Sequence, residues 1–191
     1  MRIFFGIELS AGLRERIGAL QDALRPRLRG ARWVPVANLH LTLRFVGETP
    51  RERADFLRAN LRAPIRRETE FELAFSGLGC FPRLEKPRVL FIGVAPVGDT
   101  LLLVQRRVES VIQSGGLEAD ARRFHPHLTI ARFKQCEPAL EKALSDYSEH
   151  VCGSMSVNEV VLFESRLSAS GARYHVLERF GLGGTNRVQA V

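Results

Sequence analysis

Two stretches of the sequence repeat one pattern, HLTLRF at residues 40–45 and HLTIARF at residues 127–133. In each stretch a histidine and a threonine alternate with aliphatic side chains. Such alternation is typical of a β-strand with one buried face, because successive side chains point to opposite faces of a strand. The pattern therefore predicts two similar strands, one in each half of the chain.

Strict alternation assigns the side chains of the first stretch to two faces of its strand. His40 and Thr42 lie on one face, and Leu41, Leu43 and Phe45 lie on the other, which anchors the strand in the core. Two residue rises separate the imidazole from the hydroxyl by about 7 Å along the strand. The second stretch has the same arrangement, so each strand is expected to present one imidazole and one hydroxyl.

Two such strands facing each other would suit chemistry at a phosphodiester. The imidazoles of His40 and His127 titrate near neutral pH, so one can donate a proton while the other accepts one. The hydroxyls of Thr42 and Thr129 can donate hydrogen bonds to phosphoryl oxygens. In-line displacement needs the acid and the base on opposite sides of the phosphorus atom. The sequence has no glycine-rich phosphate loop and no acidic cluster suited to Mg²⁺, so we expect neither a metal ion nor a cofactor.

Two other interpretations of these histidines remain open. A single histidine–x–threonine strand is usually structural, and it is the duplication in a chain with five histidines that favours a site. His125 and His127 flank a proline and could form part of a metal site, although the sequence offers no third ligand at a suitable spacing.

The rest of the chain predicts an α+β fold with mainly antiparallel sheets. Helical spacing of apolar residues predicts helices that begin near residues 10, 50 and 99, and a shorter helix near residue 140. Strand patterns occur between them without the regular alternation of parallel β–α–β units. No linker divides residues 1–191, so we expect one domain, with a loose tail at residues 184–191.

The charge of the chain is basic and unevenly distributed. Lysine and arginine number 28 against 21 acidic residues, and all of the basic residues except Lys86, Lys134 and Lys142 are arginines. Residues 1–67 carry 14 arginines and 6 acidic residues. A localised positive field attracts polyanions such as RNA, whereas coding bias in a GC-rich genome would also favour arginine. If the arginine content reflects RNA binding, the arginines within residues 25–29 are expected to attract the RNA towards the protein.

Cysteine content and hydropathy indicate a location in the cytoplasm. Three cysteines at unrelated spacings fit neither a disulfide framework nor a zinc site, which is typical of a reducing compartment. The apolar stretch at the N-terminus is short and is interrupted by Glu8, unlike a signal peptide. The longest apolar run, residues 89–97, is about half the length of a membrane-spanning helix. We therefore expect a cytoplasmic protein with no membrane contact, and a monomer is the default expectation.

With these residues identified, the chain resembles the two-histidine phosphoesterase superfamily and, within it, the RNA 2′,3′-cyclic phosphodiesterases, historically called 2′-5′ RNA ligases. The resemblance extends over nearly the whole chain and centres on the paired histidine–x–threonine motifs. It includes the opening strand and the segments around and between the motifs, at residues 2–7, 33–34, 38–43, 45–48, 81–82, 88–94 and 124–129.

The resemblance implies a bilobal fold with pseudo-two-fold symmetry, in which two mainly antiparallel sheets form a central cleft and the helices lie outside. It implies hydrolysis of 2′,3′-cyclic phosphate ends of RNA to 2′-phosphates. Some members join or cleave 2′-5′ linkages in tRNA halves without a nucleotide cofactor. The implied partners are RNA ends of these kinds, including tRNA fragments, and nucleotides that bind in the cleft.

The resemblance also assigns roles to individual residues. It implies that His40 donates a proton to the leaving 3′-oxygen and that His127 accepts a proton from the attacking water. Thr42 and Thr129 would hold the phosphoryl oxygens, and Arg132 would contact the phosphate.

Two of the expected contacts depend on the local course of the strands. Arg132 follows His127 by five residues, so strict alternation places it on the opposite face, and a phosphate contact requires a twist or the end of the strand. Phe5 is expected to hold a base of the substrate, with a place in the core as its alternative. A second functional hypothesis is a non-catalytic RNA-binding module, which would use the same histidines and threonines only to contact phosphate.

Overall fold

The computed structural model describes residues 1–96, 98–168 and 171–184. The tail expected at residues 184–191 lies outside the described residues except for Gly184. Within the described ranges the chain forms nine strands, four α-helices and a short 3-10 helix at Val36–Asn38. In chain order the strands and α-helices are β1 (Arg2–Glu8), α1 (Ala11–Leu24), β2 (Ala31–Trp33), β3 (His40–Glu48), α2 (Arg51–Ile65), β4 (Phe71–Phe81), β5 (Val89–Pro96), α3 (Thr100–Ser114), β6 (His127–Phe133), α4 (Leu140–Asp146), β7 (Val151–Val157), β8 (Glu159–Ser168) and β9 (Gly171–Gly181).

The strands form two antiparallel sheets whose strand orders correspond. The first sheet has the order β3-β1-β8-β9, and the second has the order β2-β6-β5-β4-β7. Apart from the additional edge strand β2, each sheet places its motif strand beside the first strand of the same half of the chain. The third strand comes from the other half, because β8 pairs with β1 and β4 pairs with β5. The two lobes are thus related by pseudo-two-fold symmetry, and the predicted α+β fold is confirmed.

Each sheet is also covered by one helix from each half of the chain. Helices α2 and α3 pack against the first sheet, and α1 and α4 pack against the second. The residues of α1 that were predicted to face inward are buried, namely Leu13, Ile17, Leu20 and Leu24. No helix within the described residues is long and apolar enough to cross a membrane, since the longest have 15 residues.

One hydrophobic cluster joins both sheets to the four helices. The aliphatic residues of the motif strands belong to it and are at most 3% exposed, namely Leu41, Leu43, Leu128 and Ile130. A separate small cluster lies on the other face of the first sheet and consists of Phe4, Val161 and Phe163, with Tyr174 packed against it. The core therefore holds one face of each motif strand and leaves the face with the histidine and threonine to the space between the sheets.

Candidate active site

A cleft between the two sheets brings the motif residues together. Its volume is about 230 Å³, and its walls include His40 and Thr42 from β3 and His127 and Thr129 from β6. Arg132, near the end of β6, lines the same cleft. Of the six site residues expected from the sequence, these five lie together.

The lining of the cleft is positively charged. Arg2 and Arg132 contribute guanidinium groups, and none of the described residues that line the cleft is aspartate or glutamate. Ser165 and Tyr174 add hydroxyl groups from β8 and β9. Guanidinium and hydroxyl donors without a neighbouring carboxylate are suited to binding phosphate.

The His40 imidazole is held by hydrogen bonds on both of its nitrogens. Its Nδ1–H donates to the backbone oxygen of Asn38 at 2.7 Å, and in the neutral ring Nε2 accepts from the Thr42 hydroxyl at 3.0 Å. Burial lowers the pKa of His40 below its usual value near 6.5, and the charges of Arg132 and His127 lower it further, against the opposing effect of the Asn38 hydrogen bond. The ring therefore favours its neutral form and keeps Nε2 for proton transfer.

His127 repeats this arrangement on the other wall of the cleft. Its Nδ1–H donates to the backbone oxygen of His125 at 2.7 Å, which again leaves Nε2 for the cleft. Burial lowers the pKa of His127, and the nearby His125 and Arg132 lower it further, while the hydrogen bond to the His125 carbonyl raises it. The cleft thus holds two imidazoles in the same tautomer, of which His40 is the more deeply buried.

The alternative metal site at His125 and His127 gains no support from this geometry. Nδ1 of His127 is occupied by a backbone carbonyl, and the two ring centroids are 6.5 Å apart with planes at 30°. Within the residues that the structure describes, no three histidine, cysteine, aspartate or glutamate side chains are grouped as metal ligands would be. The His125 ring packs edge-on against Phe81 and Phe91.

Aromatic side chains that the sequence analysis did not identify hold both imidazoles. The His40 ring lies 4.7 Å from the ring centroid of Phe4 and 5.0 Å from that of Tyr174, which meets it edge-on. The second imidazole meets Phe81 and Phe91 edge-on at 5.1 and 5.6 Å. Because these contacts restrict ring rotation, each histidine is oriented by its aromatic neighbours as well as by its backbone carbonyl.

A β-bulge in β6 places Arg132 in the cleft. Thr129 and Ala131 pair with consecutive residues of β5, so Ile130 between them has no partner there. Ile130 and Ala131 are both fully buried, and the alternation of faces resumes one residue later. Arg132 therefore shares a face with Thr129, because the extra residue of the bulge reverses the expected alternation.

A buried glutamine on α1 holds this bulge. Gln21 is fully buried, and its Nε2 donates to the backbone oxygens of Ile130 and Val34, both at 2.9 Å. The backbone amide of Val34 donates to the same Ile130 oxygen at 2.9 Å. Sequence reasoning missed Gln21 because a polar residue on an amphipathic helix is expected to face water. Its spacing of four residues from the buried Ile17 is the one signal that could have found it.

A matching bulge in β3 shows that the expected position of Phe45 in the core is wrong. Thr42 and Arg44 pair with consecutive residues of β1, so Leu43 has no partner there. Phe45 therefore lines the cleft and is 41% exposed, with the guanidinium of Arg2 lying 5.0 Å from its ring centroid. The fifth residue after the histidine thus faces the cleft in both motifs, and it is a phenylalanine in one and an arginine in the other.

The expectation that Phe5 contacts the substrate is also wrong. Phe5 is fully buried in the hydrophobic core, with its ring centroid 6.3 Å from that of Phe180. Since side chains alternate along β1, its neighbour Phe4 takes the other face and lines the cleft beside His40. Two adjacent phenylalanines give no signal in the sequence for which of them faces the core.

Comparison with known protein families gives a match along most of the chain. The family model described as "2′-5′ RNA ligase superfamily" matches residues 9–168. The RNA 2′,3′-cyclic phosphodiesterase of Aeropyrum pernix is 34% identical to this chain, over 91% of this chain and 98% of its own length. The RNA 2′,3′-cyclic phosphodiesterase of Aquifex aeolicus is 31% identical, over 96% of this chain and 98% of its own length.

Solved structures share the same fold. A protein of Thermus thermophilus matches with a TM-score of 0.82 at 29% identity, over 96% of this chain and 99% of its own. E. coli LigT complexed with 3′-AMP matches with a TM-score of 0.76 at 29% identity, over 95% of this chain and 97% of its own. LigT also has structures complexed with ATP and with NADP+. On the family match and the curated relatives, this chain belongs to the 2′-5′ RNA ligase superfamily.

Proposed function

We propose that this protein hydrolyses the 2′,3′-cyclic phosphate at the 3′ end of RNA to a 2′-phosphate, with its two histidines as acid and base. The observation that carries the proposal is the pair of imidazoles in one cleft, each with Nδ1–H bonded to a backbone carbonyl and Nε2 on the side of the proton transfer, where Nε2 of His40 is held by Thr42 in the free protein. The curated relatives named RNA 2′,3′-cyclic phosphodiesterase support the same activity.

The reaction moves one proton out of the attacking water and one onto the leaving oxygen. His127 takes a proton from water, whose oxygen attacks phosphorus. The bond between phosphorus and the 3′-oxygen breaks, and the imidazolium of His40 protonates that oxygen. The 2′-oxygen stays bound to phosphorus, so the product is a 2′-phosphate. Exchange of protons with solvent returns both histidines to their starting states.

Three further side chains bind the phosphoryl oxygens in this proposal. The Thr42 hydroxyl, which donates to His40 in the free protein, turns to a phosphoryl oxygen and releases Nε2 for the 3′-oxygen. Thr129 and Arg132 donate from the other wall of the cleft. Such donors stabilise the charge that develops on the phosphoryl oxygens in the transition state. The groups that accept and donate protons in this scheme, and the donors to the phosphoryl oxygens, are side chains of the protein.

The same groups suit the joining of RNA ends. If a 5′-hydroxyl replaces water as the nucleophile, His127 takes its proton and the product carries a 2′-5′ linkage. One phosphorus–oxygen bond forms for each one that breaks, so no nucleotide cofactor is consumed. Membership of the 2′-5′ RNA ligase superfamily favours this second activity.

Incubation with a nucleoside 2′,3′-cyclic monophosphate in the presence of EDTA tests the proposed hydrolysis. We expect the 2′-phosphate as product, at a rate that EDTA leaves unchanged. Appearance of the 3′-phosphate would reverse the leaving-group assignment, and loss of activity in EDTA would favour a metal site. Binding of RNA without turnover would support the non-catalytic RNA-binding module instead.

The dependence of the rate on pH should be bell-shaped and displaced to the acidic side. The profile of kcat/KM reports pKa values of the free protein. Because burial lowers the pKa of both His40 and His127 below 6.5, both limbs of that profile should lie below pH 6.5. A bound phosphate anion favours the imidazolium form, so the limbs of the kcat profile should lie at higher pH.

Substitution of Arg132 gives the control for this prediction. The charge of Arg132 lowers the pKa of both histidines, so Arg132→Gln should move both limbs of the kcat/KM profile to higher pH while lowering kcat/KM itself. A wild-type profile of kcat/KM with both limbs above pH 6.5 would contradict the predicted pKa shifts.

A further inference from the structure

The edge strand β2 carries an exposed arginine beside the cleft. Ala31 and Trp33 are half-buried and pack against the core, whereas Arg32 between them is exposed. Because side chains alternate along a strand, Arg32 lies on the face opposite the core. Val34, which follows β2, packs against the core and also lines the cleft. Arg32 therefore lies on the cleft face of the second sheet, just outside the cleft itself.

Arg32 lies directly opposite Arg132 in the register of β2 and β6. Opposite residues of an antiparallel pair point to the same face, with Cβ atoms about 4.5–5.5 Å apart. Like charges at such positions destabilise a sheet. In the part of the chain that the structure describes, neither arginine has a carboxylate partner. An anion bound beside both side chains would remove this repulsion.

A second pair of facing arginines shows how the molecule compensates such charges elsewhere. Arg166 and Arg173 lie opposite each other on β8 and β9. There, Arg166 is bound to Glu164 on its own strand at 2.7 Å. The pair at the cleft is thus distinguished by the lack of an acidic neighbour among the described residues, which points to a ligand that supplies the negative charge.

Two of the three arginines within residues 25–29, which the sequence suggested for steering RNA, are less suited to it. Arg25 is bound to Asp22 at 3.0 Å, and Arg27 is bound to Asp146 at 2.6 Å. Their charges are compensated within the protein. The basic excess of the first third of the chain therefore includes residues that hold the fold together, and it also includes Arg2, which lines the cleft, and Arg32, which lies just outside it.

We propose that Arg32 binds a phosphate of the RNA backbone upstream of the end that reacts. In the proposed function the reacting phosphate lies between the two histidines, with Arg132 beside it. The preceding nucleotides are linked to that end by further phosphates, and Arg32 is the cation next to Arg132 across the second sheet. The proposal rests on the proposed function and adds to it a contact with the RNA chain upstream of the reacting end.

The test compares two substrates that differ in their upstream phosphates. A nucleoside 2′,3′-cyclic monophosphate has none, and a short oligoribonucleotide ending in a 2′,3′-cyclic phosphate has several. Arg32→Gln removes the charge, and Arg32→Lys retains it. Arg106→Gln is the matched control, because Arg106 is an exposed arginine on α3 with no ion pair or hydrogen bond of its side chain to any described residue.

The expected result is a loss confined to the oligonucleotide. Arg32→Gln should lower its kcat/KM by about 3- to 10-fold, mainly through KM, since one charge-assisted contact at an exposed position is removed. The slope of log kcat/KM against log salt concentration should become shallower by about 0.7. Arg32→Lys should retain most of the wild-type kcat/KM for the oligonucleotide, and Arg106→Gln should leave kcat/KM unchanged for both substrates.

An equal loss on both substrates, or no loss on the oligonucleotide, would overturn the proposal. If the wild-type protein hydrolyses neither substrate, the proposed function fails instead. Fluorescence anisotropy with a 3′-phosphorylated oligoribonucleotide then decides the role of Arg32, because weaker binding by Arg32→Gln supports the contact and unchanged binding refutes it.

Discussion

Replacing either histidine of the cleft with alanine is expected to remove nearly all turnover. We expect His40→Ala and His127→Ala each to lower kcat by about 10²–10⁴-fold, which is the usual contribution of one general acid or base. The threonines and Arg132 remain in both variants, so KM should change far less than kcat. The measurement is steady-state hydrolysis of a nucleoside 2′,3′-cyclic monophosphate.

A substrate with sulfur in place of the 3′-oxygen separates the acid from the base. A thiol is far more acidic than an alcohol, with a pKa of about 8.5 for cysteine, so a thiolate leaves without needing a proton. On this substrate kcat of His40→Ala should therefore lie much closer to that of the wild-type protein, whereas kcat of His127→Ala should stay low. The opposite pattern would exchange the two roles.

His150→Ala is the matched control for these variants. His150 packs against Tyr147 at 5.3 Å, outside the cleft, so its removal should leave turnover unchanged. Circular dichroism and thermal denaturation establish that each histidine variant is folded. Turnover at the wild-type level in a folded His40→Ala or His127→Ala protein would refute the proposed mechanism.

Phe5→Ala is expected to destabilise the protein strongly without lowering kcat of the folded form. Phe5 is fully buried in the core, and truncating a buried phenylalanine costs about 3–5 kcal/mol. For a chain of this size each kcal/mol lowers Tm by roughly 2–4 °C, so Tm should fall by roughly 6–20 °C. Thermal denaturation measures the fall, and kcat is measured well below the new Tm.

Phe4→Leu is the matched comparison for Phe5→Ala. Leucine retains much of the buried volume of Phe4, so Tm should fall less. The Phe4→Leu variant should instead have a lower kcat and a shifted limb of the pH profile for His40, because it lacks the aromatic ring 4.7 Å from that imidazole. A lower kcat in Phe5→Ala together with a normal kcat in Phe4→Leu would contradict the placement of the two rings.

The sequence predicts the motif strands well because alternation with a period of two reports directly which side chains share a face. His40 and Thr42 lie in the regular part of β3, before its bulge, and the corresponding residues of β6 do so as well. The exchange of β4 and β8 between the two halves of the chain could not be predicted in this way. Periodicity defines strands but not their partners, so the bilobal arrangement came from the family resemblance.

What the sequence could not predict depends on single residues and on distant partners. The bulges at Leu43 and Ile130 each shift the alternation by one residue, and nothing in their residue types marks them. Charge counts could not show which arginines are compensated, because the partner of Arg27, Asp146, is 119 residues away in the chain. The amide nitrogen of the buried Gln21, which holds the bulge at Ile130, likewise donates to backbone oxygens that only the folded chain brings to it.

The two bulges have a consequence for the direction in which a substrate can bind. Histidine and threonine occupy equivalent places on the two walls, so by themselves they would accept a phosphodiester in either of two orientations related by half a turn. The fifth residue after each histidine breaks this equivalence, because Phe45 offers an apolar ring and Arg132 offers a charge. In the proposed function, the choice of the histidine that faces the leaving oxygen would then depend on these two residues as well as on the histidines.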